Sequence, residues 1–350
     1  MTLIYFILIL GVIVLVHEFG HFIFAKMFGV HVYEFSIGMG PKIFGKKRKN
    51  KKDETEYCLR AIPIGGFVQL AGEEVDDDKS VSKEKKMYNK PIWQRFLIMF
   101  FGAGNNFILA FLILFFCGIF FGSPSMEPVV NKLSSGYPME EAGIEVGDKF
   151  LKVNGNSVSN IDDVRIYLSV VKPGESVTFE MKKEDGTVVT YEVNPQKEDI
   201  DGVESYKFGI EFVVENEKGF FAPIKYAFQK TGALFKQMII TFKLLFTGQV
   251  GMENLSGPVG IYSIVGQTRS AGFESVLQLV ALLSINVGFI NLIPFPAFDG
   301  GRILFLIIEK IKGSPVNPKV ENIFHSIGFI LLLLLLVFIT FNDIVRMFFS

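Results

Sequence analysis

A histidine–glutamate motif inside an apolar segment of membrane length constrains this chain more than any other feature. The segment starts at Leu3 and carries no charged residue before Glu18, which lies between His17 and His21 in the stretch HEFGH. Residues four apart share one face of a helix, so the two imidazoles are predicted to point the same way. Polar groups without partners are costly in lipid and usually mark function. The motif therefore predicts a metal site within a membrane helix, and not a helix surface that faces water.

The spacing of the motif is typical of a zinc site with a catalytic base. Two histidines four residues apart suit two ligands of one zinc ion, and the glutamate between them suits a base for the water that zinc activates. Catalytic zinc usually keeps three protein ligands and one open position. One further ligand is therefore expected elsewhere in the chain.

Three residues are candidates for the third ligand. His31 lies in a predicted loop strand and His325 at the start of the last apolar segment, whereas Asp299 is the one carboxylate embedded in the third apolar segment. Pro294 and Pro296 disrupt helical hydrogen bonding just before Asp299, and broken helices at membrane depth usually line a site. A carboxylate is therefore the predicted third ligand.

Composition bounds the class of protein. Of the 350 residues, 49% are hydrophobic and 14% aromatic, which predicts a polytopic α-helical membrane protein with room for one compact soluble domain. The formal net charge is −1 and no basic stripe interleaved with aromatic residues is present, so we expect no nucleic-acid partner. Cys58 and Cys117 offer neither a disulfide framework nor a CxxC metal site. The lipid bilayer is the expected environment, and Zn²⁺ is expected without a small-molecule cofactor.

Four transmembrane helices are predicted, at about residues 3–24, 96–121, 276–293 and 323–340. The first lacks a basic start and an A-x-A-like cleavage site, so we interpret it as an uncleaved membrane helix and not as a signal peptide. Lys and Arg are absent before it and frequent in the loop at 42–95, including the run KKRKNKK at 46–52. By the positive-inside rule this loop is cytoplasmic.

This topology brings the candidate metal ligands to one depth. The first and third helices both run inward, and both carry their polar residues near the cytoplasmic end. The N-terminal membrane part is predicted to cover residues 1–126 and the C-terminal membrane part residues 276–350. The predicted site thus holds Zn²⁺ on His17, His21 and Asp299, with Glu18 as the catalytic base, near the cytoplasmic side.

A membrane-associated β-hairpin is predicted within the loop at about 30–95. The stretch at 30–40 alternates like a strand that turns at Gly40-Pro41, and YCLRAIPIGGFVQLAG at 57–72 is too apolar for an exposed linker. We interpret 57–72 as a hairpin that turns near Gly65-Gly66. Two roles remain open for it: an edge strand that pairs with an extended substrate through Gly66, Phe67 and Val68, or a hairpin packed against the helices.

The segment between the second and third helices is predicted to be extracytoplasmic. Residues 127–195 have the composition of a soluble α+β domain, with turn signals at Gly147-Asp148 and Asn154-Gly155. Residues 196–275 are predicted as a connector. Within it, the stretch at 220–246 has the periodicity of an amphipathic helix, which either lies on the outer membrane surface or packs on the soluble domain.

Together these residues resemble the site-2 protease family of intramembrane zinc metalloproteases, in its bacterial RseP/RasP-like branch. The resemblance rests on HEFGH at 17–21, NLIPFPAFDG at 291–300, LSGPVG at 255–260 and an inserted domain that is similar to a PDZ domain. It covers essentially the whole chain, whose length allows a single PDZ domain. Phe298 stands where leucine is usual in the family, and Ala103 stands where the second helix commonly has proline.

The resemblance implies a function. Members hydrolyse peptide bonds within the transmembrane segments of pre-trimmed single-pass membrane proteins, such as anti-sigma factors or signal-peptide remnants, in regulated intramembrane proteolysis. It implies the bacterial cytoplasmic membrane, with the PDZ-like domain outside. Asn291 is interpreted either as a ligand of substrate backbone or the developing oxyanion, or as a packing residue. Asn106, in the glycine-rich second helix, either packs between helices or contacts substrate.

Two functions from other classes compete with proteolysis. A membrane-anchored PDZ adaptor would need no intact metal site, yet His17, Glu18, His21 and Asp299 are all present. A transporter would use polar residues within the membrane to carry ions. Few charges lie at membrane depth and no inverted repeat is visible, which argues against a transporter. Zinc stoichiometry separates both from a protease.

Overall fold

The computed structural model describes residues 1–47, 54–73, 78–172, 174–200, 203–212, 215–248, 251 and 255–349. Most of the basic run at 46–52 lies outside the described residues. The chain divides into two compact units, one of Met1–Ile113 with Met252–Ser350 and the other of Leu114–Gly251. We call them the membrane unit and the inserted unit.

The helices are, in chain order, α1 Thr2–Met27, α2 Ile92–Phe120, α3 Pro138–Glu141, α4 Ile161–Ser169, α5 Ala222–Phe246, α6 Pro258–Ser270, α7 Phe273–Leu292, α8 Asp299–Lys312 and α9 Pro318–Phe349. Two single 3-10 turns, Lys83–Lys85 and Met87–Asn89, precede α2. The strands are β1 Val32–Lys47, β2 Glu56–Leu70, β3 Lys132–Leu133, β4 Lys149–Val153, β5 Asn156–Ser157, β6 Val177–Lys182, β7 Val188–Val193, β8 Gln196–Ile200, β9 Val203–Lys207 and β10 Ile210–Glu211.

Four helices among the described residues are long and apolar enough to cross a membrane, and they coincide with the four predicted spans. These are α1, α2, α7 and the Lys319–Arg346 part of α9. Helix α1 ends at a glycine, Gly29, whose φ of 66° suits a left-handed C-terminal cap. There the Val30 N–H donates to the Ala25 carbonyl at 2.8 Å, which satisfies one of the last helical carbonyls. The chain therefore leaves the membrane helix directly into β1.

Strands β1 and β2 form the predicted membrane-associated sheet, but the prediction that 57–72 is a hairpin by itself is wrong. The chain does reverse near Gly65, where φ is 72°. Its two arms do not pair with each other, because residues 34–37 of β1 pair with 66–69 on one side and with 56–59 on the other. Inserting β1 between the arms gives its backbone groups partners on both edges, which is the stable arrangement where water is scarce.

The chain reverses near the predicted turn at Gly40-Pro41, although the strand is not interrupted there. Residues 34–37 run in the same direction as 56–59, whereas residues 44–47 run antiparallel to them. Strand β1 continues to Lys47, with an irregular register between Met39 and Lys42. Gly38 and Gly40 adopt φ values of 84° and 81° there. These left-handed residues bend the strand without ending its pairing, since glycine adopts this conformation at no steric cost.

The inserted unit contains a four-stranded sheet in the order β5-β4-β6-β7, in which each neighbouring pair is antiparallel. A hydrophobic core packs against this sheet and includes Phe150, Phe179 and Met139. Phe208 belongs to the same core, and β10 pairs with β3. The folded unit thus extends beyond the predicted boundary at residue 195. Residues after 195 complete its core and its strand pairing, and the change in composition along the sequence did not reveal this.

Helix α5, within the inserted unit, packs one face against α4 and exposes another. Lys230 Nζ lies 2.5 Å from Asp162 Oδ2, and Lys236 Nζ lies 2.7 Å from Asp163 Oδ2, both on α4. On another face Phe228 is 65% exposed. The predicted amphipathic helix is present, and its polar contacts are those of a helix packed on the soluble domain.

Candidate metal centre

Helix α1 holds His17 and His21 against α2, and both side chains are buried. The close approach depends on two glycines. A side chain at Gly20 would overlap the Phe101 carbonyl, and a side chain at Gly102 would overlap the His21 ring. Small residues at a helix crossing let the backbones approach in this way. The glycines thus place the two imidazoles at the interface instead of on the lipid-facing surface.

Three ligand-type atoms converge at this interface. His17 Nε2 lies 3.2 Å and His21 Nε2 lies 3.3 Å from Asp299 Oδ2. The two Nε2 atoms are 3.3 Å apart. The structure thus brings together the three residues that the sequence predicted as ligands, although Asp299 is far from the histidines in the chain.

The donor set and its spacing fit a zinc ion. Ligand bonds of about 2.0–2.2 Å in tetrahedral geometry put neighbouring ligand atoms about 3.3–3.6 Å apart, and the observed triangle lies at the short end of this range. Asp299 Oδ2 is buried and has no hydrogen-bond partner among the described residues, an arrangement that a cation would stabilise. Two imidazoles and one carboxylate are also a known ligand set of catalytic zinc.

The other nitrogen of the His21 ring has a partner that fixes its tautomer. His21 Nδ1 donates to the Ile98 carbonyl at 2.8 Å when Nε2 is left free as an acceptor. A hydrogen bond on the second nitrogen orients the ring and makes it a better ligand. Sequence reasoning did not find Ile98, since a backbone carbonyl leaves no mark on residue type.

Asn106 supports His17 in the same way. Its side-chain nitrogen lies 3.4 Å from His17 Nδ1, and its Oδ1 is buried without a partner among the described residues. Because a metal on Nε2 leaves a proton on Nδ1, we assign the amide with its oxygen towards His17, so that the oxygen accepts from the Nδ1–H. Asn106 thus lies buried between α2 and α1 in contact with a candidate ligand, and both roles left open for it remain predictions.

Glu18 lies next to the trio and beside the sheet. Its Oε2 accepts a hydrogen bond from the Val68 N–H at 3.2 Å. Val68 pairs with Phe35 of β1 in the sheet, so its N–H points away from that ladder. Gly66 sits where a side chain would overlap the Ser36 carbonyl, and Phe67 stacks under the Arg60 guanidinium at 4.8 Å. The Val68 N–H at this edge of the sheet therefore faces the candidate base.

The remaining predicted residue and the rejected ligands lie apart from the trio. Asn291 donates to the Val287 carbonyl of its own helix at 3.0 Å. His31 pairs with Glu54 at 3.1 Å, and His325 accepts from the Ala297 N–H at 3.1 Å. Neither histidine is among the ligand-type residues that converge at this interface.

Two buried or half-buried ion pairs tie the elements around the centre together. Arg95 at the start of α2 donates to Glu309 of α8 at 2.9 Å. Arg302 of α8 pairs with Glu73, just beyond β2. Arg302 could have been found from the sequence, because it is a charged residue close to Asp299 in an apolar stretch. Nothing in the sequence connects Arg95 to Glu309.

Residues 5–335 match peptidase family M50. A Clostridium perfringens protein classed by name as a zinc metalloprotease is 39% identical over 99% of both chains. The regulator of sigma-W protease RasP of Bacillus subtilis is 32% identical over 99% of both chains. The zinc metalloprotease RasP of Oceanobacillus iheyensis is similar to the same degree, 32% over 99% of both chains.

These likenesses extend over nearly the whole chain. They exclude the adaptor and transporter hypotheses as accounts of the family, and they confirm zinc as the cofactor. The chain belongs to peptidase family M50, the site-2 type of zinc metalloprotease.

Proposed function

We propose that this protein hydrolyses peptide bonds within the transmembrane segments of single-pass membrane proteins that have already been trimmed. One observation carries the proposal. Asp299 meets His17 and His21 of the membrane-length helix α1, and Glu18 lies beside them. The relative from Bacillus subtilis is named as a regulator of sigma-W protease. We therefore propose anti-sigma factors as one substrate class and signal-peptide remnants as another.

His17, His21 and Asp299 would hold the zinc. When bound, the zinc would act as a Lewis acid: it would lower the pKa of a water molecule towards about 7 and polarise the carbonyl of the peptide bond. Glu18 takes the proton of the attacking water and passes it to the leaving amine. Its Oε2 is positioned by the Val68 N–H, and its place between the histidines points it off the face that they share.

The free edge at Gly66, Phe67 and Val68 is proposed to bind the substrate backbone. A helical substrate must unwind before attack, because its carbonyls are hydrogen-bonded and shielded. Edge pairing replaces those lost bonds with new ones. In this role the Val68 N–H changes partner, from Glu18 to a substrate carbonyl, as the substrate enters.

The inserted unit is proposed as a PDZ-like gate outside the cell that excludes substrates with large ectodomains. We further propose the bacterial cytoplasmic membrane as the location, with both chain ends outside and the zinc centre near the cytoplasmic side. The Lys and Arg bias of the loop at 42–95 supports this orientation.

Glu18→Gln tests the proposed function. The variant keeps the size of the side chain and one hydrogen-bond acceptor but removes the base. In proteoliposomes with a single-pass substrate peptide, it is expected to retain zinc and lose cleavage by roughly 2–4 orders of magnitude. Turnover near that of the parent chain would contradict the mechanism. A comparison of membrane-protein fragments from cells with the parent chain and with Glu18→Gln then identifies the substrates.

A further inference from the structure

We infer that His325 is a positioning residue for the proposed zinc ligand Asp299, and that it acts through the backbone of Ala297. The inference rests on the proposed function of Asp299. It starts from the short segment at 293–298, which joins α7 to α8 and ends at the carboxylate. The sequence offered His325 only as an alternative ligand.

Ala297 has an unusual backbone conformation. Its φ is 78°, and among the described residues only Asn154 shares a positive φ without being glycine. Alanine rarely adopts this conformation, because its Cβ approaches the neighbouring carbonyl. Such a residue persists only where its surroundings hold it, and it is found most often at functional sites. Something must therefore hold Ala297 two residues before the ligand.

The backbone donors of this segment show what holds it. Pro294 and Pro296 have no N–H. The Phe295 N–H donates to the Ile293 carbonyl at 2.7 Å, and the Phe298 N–H donates to the Phe295 carbonyl at 3.3 Å. The Ile293 N–H donates back into α7, to the Ile290 carbonyl at 3.1 Å. The Ala297 N–H instead reaches another helix and donates to Nδ1 of His325 on α9 at 3.1 Å.

The segment is also closely packed, so the bond between Ala297 and His325 fixes its backbone geometry. A side chain at Gly328 would overlap Pro296, and a side chain at Gly300 would overlap the Ile293 carbonyl. The segment is thus clamped between α9 and the start of α8. Helix α9 sets the position of the segment through the contact at Gly328 and its backbone orientation through His325. The orientation of the Asp299 side chain therefore depends on both residues.

In this role His325 must accept the hydrogen bond of the Ala297 N–H. It does not need to bind zinc or to donate a proton. With Nδ1 accepting, the ring is the neutral tautomer that carries its proton on Nε2. Asparagine places its Oδ1 close to the position of Nδ1 and keeps the acceptor. Leucine has nearly the same shape as asparagine and removes it. His325→Asn and His325→Leu therefore form a matched pair.

The experiment measures zinc retention against a chelator and, separately, kcat and KM for a membrane substrate. His325→Leu is expected to bind zinc about 10-fold more weakly and to lower kcat with KM unchanged. His325→Asn is expected to remain within about twofold of the parent chain. Equal losses in the two variants would mean that His325 only packs, and the inference would be overturned. No loss in either variant would overturn it as well.

A second background tests the mechanism itself. Glycine adopts a φ of 78° without strain, so Ala297→Gly removes the need for a bond that holds the conformation. In that background the loss caused by His325→Leu is expected to shrink to about threefold or less. A loss of the same size in both backgrounds would contradict the role of Ala297.

Asp299→Ala separates this inference from the proposed function on which it rests. If Asp299→Ala releases zinc and the His325 variants behave alike, the ligand assignment stands and the positioning role fails. If Asp299→Ala keeps full zinc occupancy, the ligand assignment itself fails and takes the positioning role with it.

Discussion

At the scale of single residues, the centre separates into groups that would touch zinc and groups that hold them. His17, His21 and Asp299 share a triangle of 3.2–3.3 Å edges. Asn106 and the Ile98 carbonyl contact the far nitrogens of the two rings. The two groups should therefore respond differently to substitution.

The three proposed ligands are expected to be required for the metal. The purified chain should contain about one zinc, and replacement of His17, His21 or Asp299 by Ala should release it. Elemental analysis after dialysis against a mild chelator measures the content. The surface variant Ser80→Ala serves as the control and should keep its zinc.

Asn106 is expected to tune zinc affinity without being a ligand. Asn106→Ala removes the acceptor for the His17 Nδ1 proton, so zinc should bind roughly 10–100-fold more weakly. Asn291→Ala is a matched control, because Asn291 bonds only to its own helix in the contacts that we describe. Competition with a zinc-binding dye gives both affinities. Equal zinc affinities in the two variants would show that Asn106 does not support His17 as a ligand.

At the scale of elements, two contacts decide where the site forms: the α1–α2 crossing at Gly20 and the sheet edge at Val68. Both place backbone within reach of the centre. Neither depends on a long side chain, so both can be tested by changes of one residue that alter backbone contacts.

Gly20→Ala is expected to destabilise the membrane unit, because the new methyl group would overlap the Phe101 carbonyl. Overpacking of this kind typically costs about 1–3 kcal/mol. Gly11→Ala on the same helix is the control, since its new methyl group would meet Pro63 at an ordinary 3.4 Å. Thermal unfolding in detergent compares the two. If both variants unfold at the same temperature, the close crossing is not what holds α1 to α2.

Val68→Pro is expected to weaken cleavage while zinc content stays normal, because it removes the N–H that faces Glu18. Phe67→Pro is the control at the neighbouring position, whose N–H points to the opposite side of the strand, towards β1. That variant should lose stability through the broken ladder. A substrate helix that already contains Gly or Pro should suffer less than an all-Leu helix. If Val68→Pro cleaves every substrate normally, the strand edge has no part in binding.

At the scale of the whole molecule, orientation in the membrane is the property still to be measured. Cys58 and Cys117 are both buried, so an introduced cysteine can be labelled over a low background. Ser80→Cys should react only from the cytoplasmic side and Ser157→Cys only from outside. Both native serines are exposed. The reverse pattern would move the zinc centre to the opposite side of the bilayer.

The sequence predicted the four spans and the metal residues because each leaves a strong local mark. Apolar runs reveal spans, the spacing of His17 and His21 reveals a shared helix face, and the prolines before Asp299 reveal a broken helix. The insertion of β1 between the arms of β2 left no such mark, since either strand arrangement has the same alternation. The pairs Arg95–Glu309 and His325–Ala297 join residues far apart in the chain, and their partners depend on packing that no local pattern encodes.

The positions of the three proposed ligands also set a time at which the enzyme can first act. Two are made within the first 21 residues, and the third follows at residue 299. A ribosome that adds about 5–20 residues per second needs roughly 14–56 seconds to cover the interval. Until then the growing chain holds an incomplete set of the proposed ligands. The order of these ligands along the chain would therefore delay proteolysis until most of the chain has been made.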